Sequence, residues 1–246
     1  MADLIRLKLE HYTRLSADDV QLLSSLSTLN IRQIQPRRDI FREGERPKVV
    51  NLILDGWAVR HKMLEDGRRQ ILAFLIPGDF CDTKNFVLSE MDHSVGALTA
   101  VTVAQIPNEM IQDIERTRPR LSQALNWDLL VQLAIQREWT LNVGQRSAIE
   151  RISHLICELF VRMKTVGLCH NGVCNIPATQ TDLSEATGVT PVHVNRTLQE
   201  MRARGLIEWK GREVRVPDMD ALQRVGMFNA GYLHLDREGA HLDANE

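Results

Sequence analysis

The segment TGVTPVHVNRTLQEMRARGL, residues 187–206, constrains this chain more than any other stretch. Gly188 can take the left-handed conformation that ends one helix. Thr190 is an N-cap candidate for the next, and Pro191 falls on the first helical position, where its missing N–H costs nothing. Val194, Leu198, Met201 and Leu206 continue as one apolar face. Upstream, DLSEATGVT starts a short helix at Asp182 and Leu183, with the small Ser184 where two helices cross and Val189 as the buried residue of the turn. Downstream, IEWKGREVRVP reads as a hairpin turning near Gly211. A second hairpin precedes the helix pair in VGLCHNGVCNIPAT, because Asn171-Gly172 suits a two-residue type I′ turn. Counting outward, His170 faces Val173 and Cys169 faces Cys174. The whole is a helix-turn-helix followed by a wing.

In such a unit the second helix lays its first turns against base edges in the major groove, which explains polar side chains at the start of an otherwise ordinary amphipathic helix. Val192, His193, Asn195 and Arg196 occupy those positions. Between residues 190 and 216 six basic residues (Arg196, Arg202, Arg204, Lys210, Arg212, Arg215) face three acidic ones (Glu200, Glu208, Glu213), a local +3 in a chain of net charge -2. Contacts to phosphate account for such a local excess.

Residues 30–107 have a different character. VVNLILDG, WAVRHKM, RQILAFLIPGDF and VGALTAVTVAQIP are apolar or β-branched runs. Gly44, Gly56, Gly67 and Gly78 recur at intervals of 12, 11 and 11 residues, which predicts an antiparallel meander with glycine at successive corners. A helical lead-in around SADDVQLLSSL precedes it, with Ser16 as N-cap. From Pro119 to Gly144 the pattern is that of a long helix, apolar on more than one face, able to cover its own domain with one stripe and a partner with another. A joint at residues 144–147 leads to the helix AIERISHLICELFVRMK.

No stretch approaches the roughly 18 apolar residues that span a bilayer, and MADLIRLKLEHY lacks the order of a signal peptide, so no membrane is expected and the cytoplasm is the expected location. Four scattered cysteines do not make a secreted disulfide scaffold. Gly-rich phosphate loops, HExxH and GxSxG are all absent from the sequence, so no catalytic residues and no enzyme activity are expected. Apolar Met227, Phe228, Tyr232 and Leu233 suggest a tail that docks back on the DNA-binding part, with residues 236–246 fraying.

The whole chain resembles the cAMP receptor protein and fumarate-nitrate reduction regulator family, written Crp/Fnr, most specifically through TGVTPVHVNRTLQEMRARGLI. The resemblance implies an α+β fold: an N-terminal cyclic-nucleotide-binding-like β-roll over residues 1–116, a dimerisation helix over 117–145 and a winged helix-turn-helix over 146–235. It implies a homodimer that reads a palindromic operator on double-stranded DNA and regulates transcription, with RNA polymerase as a further partner. Carried over by position, Arg196 matches the family arginine that reads guanine, Asn195 a variable reader, and Thr179, Gln180 and Thr190 positions that hold phosphates. Thr181, Lys210 and Arg212 complete the expected phosphate contacts. Val192 stands where many members have a base-contacting glutamate, so the half-site of other members is not assumed.

The sensor part departs further from the family. Asp82-Thr83 replaces a Gly-Glu pair that holds ribose, and Met91-Asp92 replaces an Arg-Ser or Arg-Thr pair that holds the cyclic phosphate, so cAMP is not expected to be the ligand. No cysteine precedes Cys81, which excludes the family's N-terminal iron–sulfur ligation. His11, His61 and His93 are the histidines that could ligate a haem, but no cofactor and no metal site is expected. Cys169 and Cys174 form a possible redox pair, since a non-hydrogen-bonded cross-strand pair has Cα atoms about 4.5 Å apart, within disulfide range. The competing functional class is a ligand- or protein-binding module that has lost specific DNA binding.

Overall fold

The computed structural model describes residues 2–235; the expected fraying of 236–246 lies outside the described residues. The chain divides into two compact units, one holding residues up to Lys62, Ala73–Leu133 and the stretch from Leu233, the other Met63–Leu72 and Ala134–Tyr232.

The first unit opens with α1 (Ala2–Leu9) and α2 (Ala17–Leu26). Ser16 caps α2 as expected, in a reciprocal box with Asp19. Then follow β1 (Ile31–Ile34), β2 (Asp39–Phe41), β3 (Val49–Asp55), β4 (Ala58–Met63), β5 (Arg69–Leu75), β6 (Ser94–Ala97) and β7 (Val101–Pro107). They form a three-stranded sheet β1-β7-β3 and a four-stranded sheet β2-β6-β4-β5. The expected meander is therefore corrected to a roll: apart from β4 and β5, neighbours in space are not neighbours in sequence, and VGALTAVTVAQIP divides into β6 and β7, which belong to different sheets. Ile34, Ile53, Leu75, Val95, Val101 and Val103, from both sheets, share one buried core. The glycines do sit at corners with positive φ, and at Gly56 (φ +79) a Cβ would lie 2.0 Å from the Ala100 carbonyl oxygen, so no other residue fits. Lys8 of α1 is buried between Asp79 (2.8 Å) and Asp128 (2.7 Å), and these carboxylates hold its ammonium above the usual lysine range despite burial.

After α3 (Asn108–Thr117) comes α4 (Pro119–Gln145), 27 residues long. Its exposed side carries Asn126, Leu130, Leu133, Arg137 and Leu141, with the three leucines 57, 45 and 45% exposed. Steps of three and four residues put these on one stripe of a helix. Among the described residues no helix is long and apolar enough to cross a membrane.

The second unit is built on α5 (Ala148–Thr165), followed by β8 (Cys169–His170), β9 (Val173–Asn175), α6 (Gln180–Thr187), α7 (Pro191–Ala203), β10 (Glu208–Lys210), β11 (Glu213–Arg215) and α8 (Met219–Gly226). The hairpins align in one antiparallel sheet of order β10-β11-β9-β8. Asn171 and Gly172 both have positive φ, as a type I′ turn requires, and the register is the expected one: Cys169 opposite Cys174 and His170 opposite Val173. Of the expected tail contacts, Phe228 is buried edge-on against His154, and the Tyr232 hydroxyl donates to Glu158 at 3.0 Å. Met227 instead is 55% exposed, and Leu233 falls in the first unit.

Candidate DNA-binding site

The site begins with the cap of α6. Thr179 Oγ1 accepts from the Asp182 amide at 3.2 Å and donates to Asp182 Oδ2 at 2.6 Å, while the Thr179 amide donates to the same carboxylate at 2.8 Å. This box starts α6 at Gln180, two residues before the expected Asp182. It also occupies the Thr179 hydroxyl and leaves Gln180 and Thr181 exposed in the first turn of α6, where the helix amides have no intrahelical acceptor. Gly188 closes α6 at φ +67, and Val189 is buried in the turn.

Thr190 then caps α7, accepting from the His193 amide at 3.3 Å, with Pro191 in the first helical position. The inward face is Val194, Thr197, Leu198 and Met201, all buried. The outward face is Val192, His193 and Arg196, all exposed, Val192 to 82%. Asn195 is half-buried, and its Nδ2 donates to Gln180 Oε1 at 3.2 Å, joining the first turn of α6 to the second turn of α7. The wing pairs Glu208 with Arg215, Trp209 with Val214 and Lys210 with Glu213. Two of the expected cations are tied to carboxylates, Arg204 to Glu200 at 3.3 Å and Arg215 to Glu208 at 3.8 Å. Among the described residues no carboxylate pairs with Arg196, Lys210 or Arg212, all exposed. The structure thus collects Thr190, Val192, His193, Asn195 and Arg196 on one helix start, with Gln180 bonded to it and Lys210 and Arg212 at the tip of the wing hairpin.

In the β domain, Asp82 is held by His93 Nε2 at 3.0 Å and by Arg60 at 3.6 Å, and His93 Nδ1 meets Asp92 at 2.7 Å. Arg60 also donates to the Cys81 carbonyl. Sequence reasoning missed Arg60, which reaches Asp82 only through the roll. Met91 is buried in the core. Each histidine considered for a haem has a partner: His61 lies 3.6 Å from Asp39, His93 bridges two carboxylates, and His11 Nδ1 is 3.1 Å from the Leu235 carbonyl oxygen.

Fold and site together define a winged helix-turn-helix protein with a cyclic-nucleotide-binding-type β domain. A family model of the cyclic nucleotide-binding domain matches residues 31–118, and one of the Crp-like helix-turn-helix domain matches residues 150–225. The chain is 27% identical over 195 residues to a probable transcriptional activator of Rhizobium leguminosarum bv. viciae, covering 79% of this chain and 80% of that one. It is 26% identical to the transcriptional activator protein FnrL of Cereibacter sphaeroides, covering 83% and 84%. Among solved structures, FixK2 from Bradyrhizobium japonicum superposes with a TM-score of 0.71 at 21% identity, covering 80% of this chain and 96% of that chain. The chain belongs to the Crp/Fnr family of DNA-binding transcription regulators.

Proposed function

We propose that this regulator works as a homodimer that reads a two-fold symmetric operator through Arg196, Asn195, Val192 and His193 of each subunit. Thr190, Gln180, Thr181, Lys210 and Arg212 hold the flanking phosphates, and Thr179 acts through the cap that sets α6. The observation that carries this reading is the exposed set at the start of α7, with Arg196 unpaired among the described residues and outward on a helix fixed by Thr190 and Pro191. A guanidinium so placed can make a bidentate pair with guanine O6 and N7. Residues 1–116 serve as sensor, 117–145 as dimerisation helix and 146–235 as DNA-binding domain. The leucine stripe on α4 is the seam between subunits. RNA polymerase is the further partner, the cytoplasm is the place of action, and the protein works by binding rather than by catalysis.

The sensor does not take cAMP. Where the family holds a sugar and a cyclic phosphate, this chain has Asp82 and Asp92 linked through His93, and the neighbouring guanidinium of Arg60 is engaged with Asp82 and a carbonyl. A phosphate there would meet two carboxylates.

The test is to sequence genomic DNA retained by the purified protein and titrate the best fragment against Arg196→Ala across a salt series. The variant should lose about ten- to a hundredfold of its preference over random DNA, from roughly 1 to 3 kcal/mol per guanine read. An unchanged preference would remove Arg196 as the reader.

A further inference from the structure

We propose that Cys169 and Cys174 form a reversible disulfide in the native fold, a redox modification site whose state sets how firmly the wing is held. Its effect on DNA rests on the DNA-binding reading above; the bond itself does not. Three observations carry it. The two cysteines are bonded, with Cα atoms 4.5 Å apart, on facing positions of a hairpin whose Asn171-Gly172 turn fixes the register. Their accessibility is unequal: Cys174 is fully buried, while Cys169 is partly exposed at the sheet edge. The pair also ends a cross-strand row, Cys169–Cys174–Val214–Trp209, that runs through all four strands into the wing.

The chemistry needs a two-electron oxidant, for which hydrogen peroxide serves. The accessible Cys169 thiolate attacks one peroxide oxygen, the O–O bond breaks, and a sulfenic acid and one water result after proton uptake. Cys174 sulfur then attacks the Cys169 sulfur, the S–O bond breaks, and a second water leaves with the thiol proton. Two thiols and one peroxide become one disulfide and two waters. A dithiol such as dithiothreitol returns two electrons and two protons through a mixed disulfide. Cys81 and Cys157 are buried thiols, and burial raises both above the usual range, so neither competes as a nucleophile.

Reduction must move something. Bonded sulfurs sit about 2.05 Å apart, whereas unbonded heavy atoms need about 3.5 to 4.0 Å. Cys174 is enclosed and paired with Val214 on its other side, so the displacement falls on β8, two residues long and paired only with β9. With β8 loosened, β9 becomes the sheet edge and β11 loses support behind Arg212, whose carbonyl accepts from the Ile176 amide at 2.8 Å. Arg196 stands on α7, outside this sheet. The redox state should therefore change affinity and leave sequence preference alone.

The full chain is treated with peroxide or with dithiothreitol, its thiols are trapped by alkylation and located by peptide mass, and amide exchange and DNA titrations are run on both forms. Neither Cys169 nor Cys174 should alkylate after peroxide, and both should after dithiothreitol. Exchange at Val214 should slow about tenfold in the oxidised form, with DNA bound roughly three- to tenfold tighter at the same preference. Cys169→Ser, which leaves the buried Cys174 in place, should behave as the reduced form under both treatments. Alkylation of both thiols after peroxide overturns the site. A bond that forms with no change in exchange or affinity overturns its link to the wing, as does a peroxide response in Cys169→Ser. Exchange that changes while neither form prefers any sequence supports the disulfide and removes the DNA reading instead.

Discussion

Thr190 shows how much of the reader rests on one side chain. Its oxygen satisfies the His193 amide, and so fixes the turn from which Val192, His193 and Arg196 project. Thr190→Ala should lower unfolding free energy by about 1 kcal/mol and Thr190→Ser much less, measured by urea titration. Gly188→Ala should cost a similar amount for another reason. An added Cβ meets only ordinary contacts at 3.6 Å and beyond, so the penalty is the left-handed backbone (φ +67) alone, about 1 kcal/mol. At this scale the sequence was most readable, because caps, αL glycines and Asn-Gly turns act within four residues. The box at Thr179 was equally local, and its Thr-x-x-Asp spacing could have placed the start of α6. Arg60 and Asp82 were not readable as a pair, since 22 positions separate them and only the fold of the roll brings them to 3.6 Å.

The element that most exceeds its sequence pattern is α5. AIERISHLICELFVRMK reads as a plain amphipathic helix, yet it buries His154 and Glu158 completely. Glu158 is held by Trp139 Nε1 (3.1 Å), Tyr232 (3.0 Å) and Arg162 (3.2 Å), partners supplied by a preceding helix, the tail and its own next turn. Burial pushes the Glu158 carboxyl up, whereas burial, aided by Arg146, pushes His154 down to about 4. A histidine with a lowered folded value binds more protons when unfolded, so its contribution is intact above about pH 6.5 and lost as pH falls toward 4, by about 3 kcal/mol at most. Glu158 acts with the opposite sign, favouring the fold at low pH and losing that contribution as pH rises. Wild type should therefore lose more stability than His154→Phe between pH 7 and 4.5, measured by denaturant midpoints. Equal losses would place the protonation elsewhere.

For the molecule as a whole, the leucines of α4 stand largely exposed in the single chain, 57% at Leu130 and 45% at Leu133 and Leu141, and the proposed dimer is what covers them. Leu130→Glu together with Leu133→Glu should leave helicity nearly unchanged, because both positions are exposed, while the melting midpoint falls by what the lost subunit contact contributed. Sedimentation should then give one chain's mass, and operator affinity should collapse, since a single half-site keeps only part of the contacts. The order of domains was legible from periodicity, but the roll was not, because glycine spacing marks corners without saying which strands pair across them. Asn195 and Gln180 carry a consequence for lineage. Their amides are clasped, so on the proposed reading the base under Asn195 and the phosphate held at Gln180 meet one unit contributed by two helices. On the proposed symmetric pair, a descendant acquiring a new target motif at that step would have to alter both residues in concert, and each compromise would be felt twice.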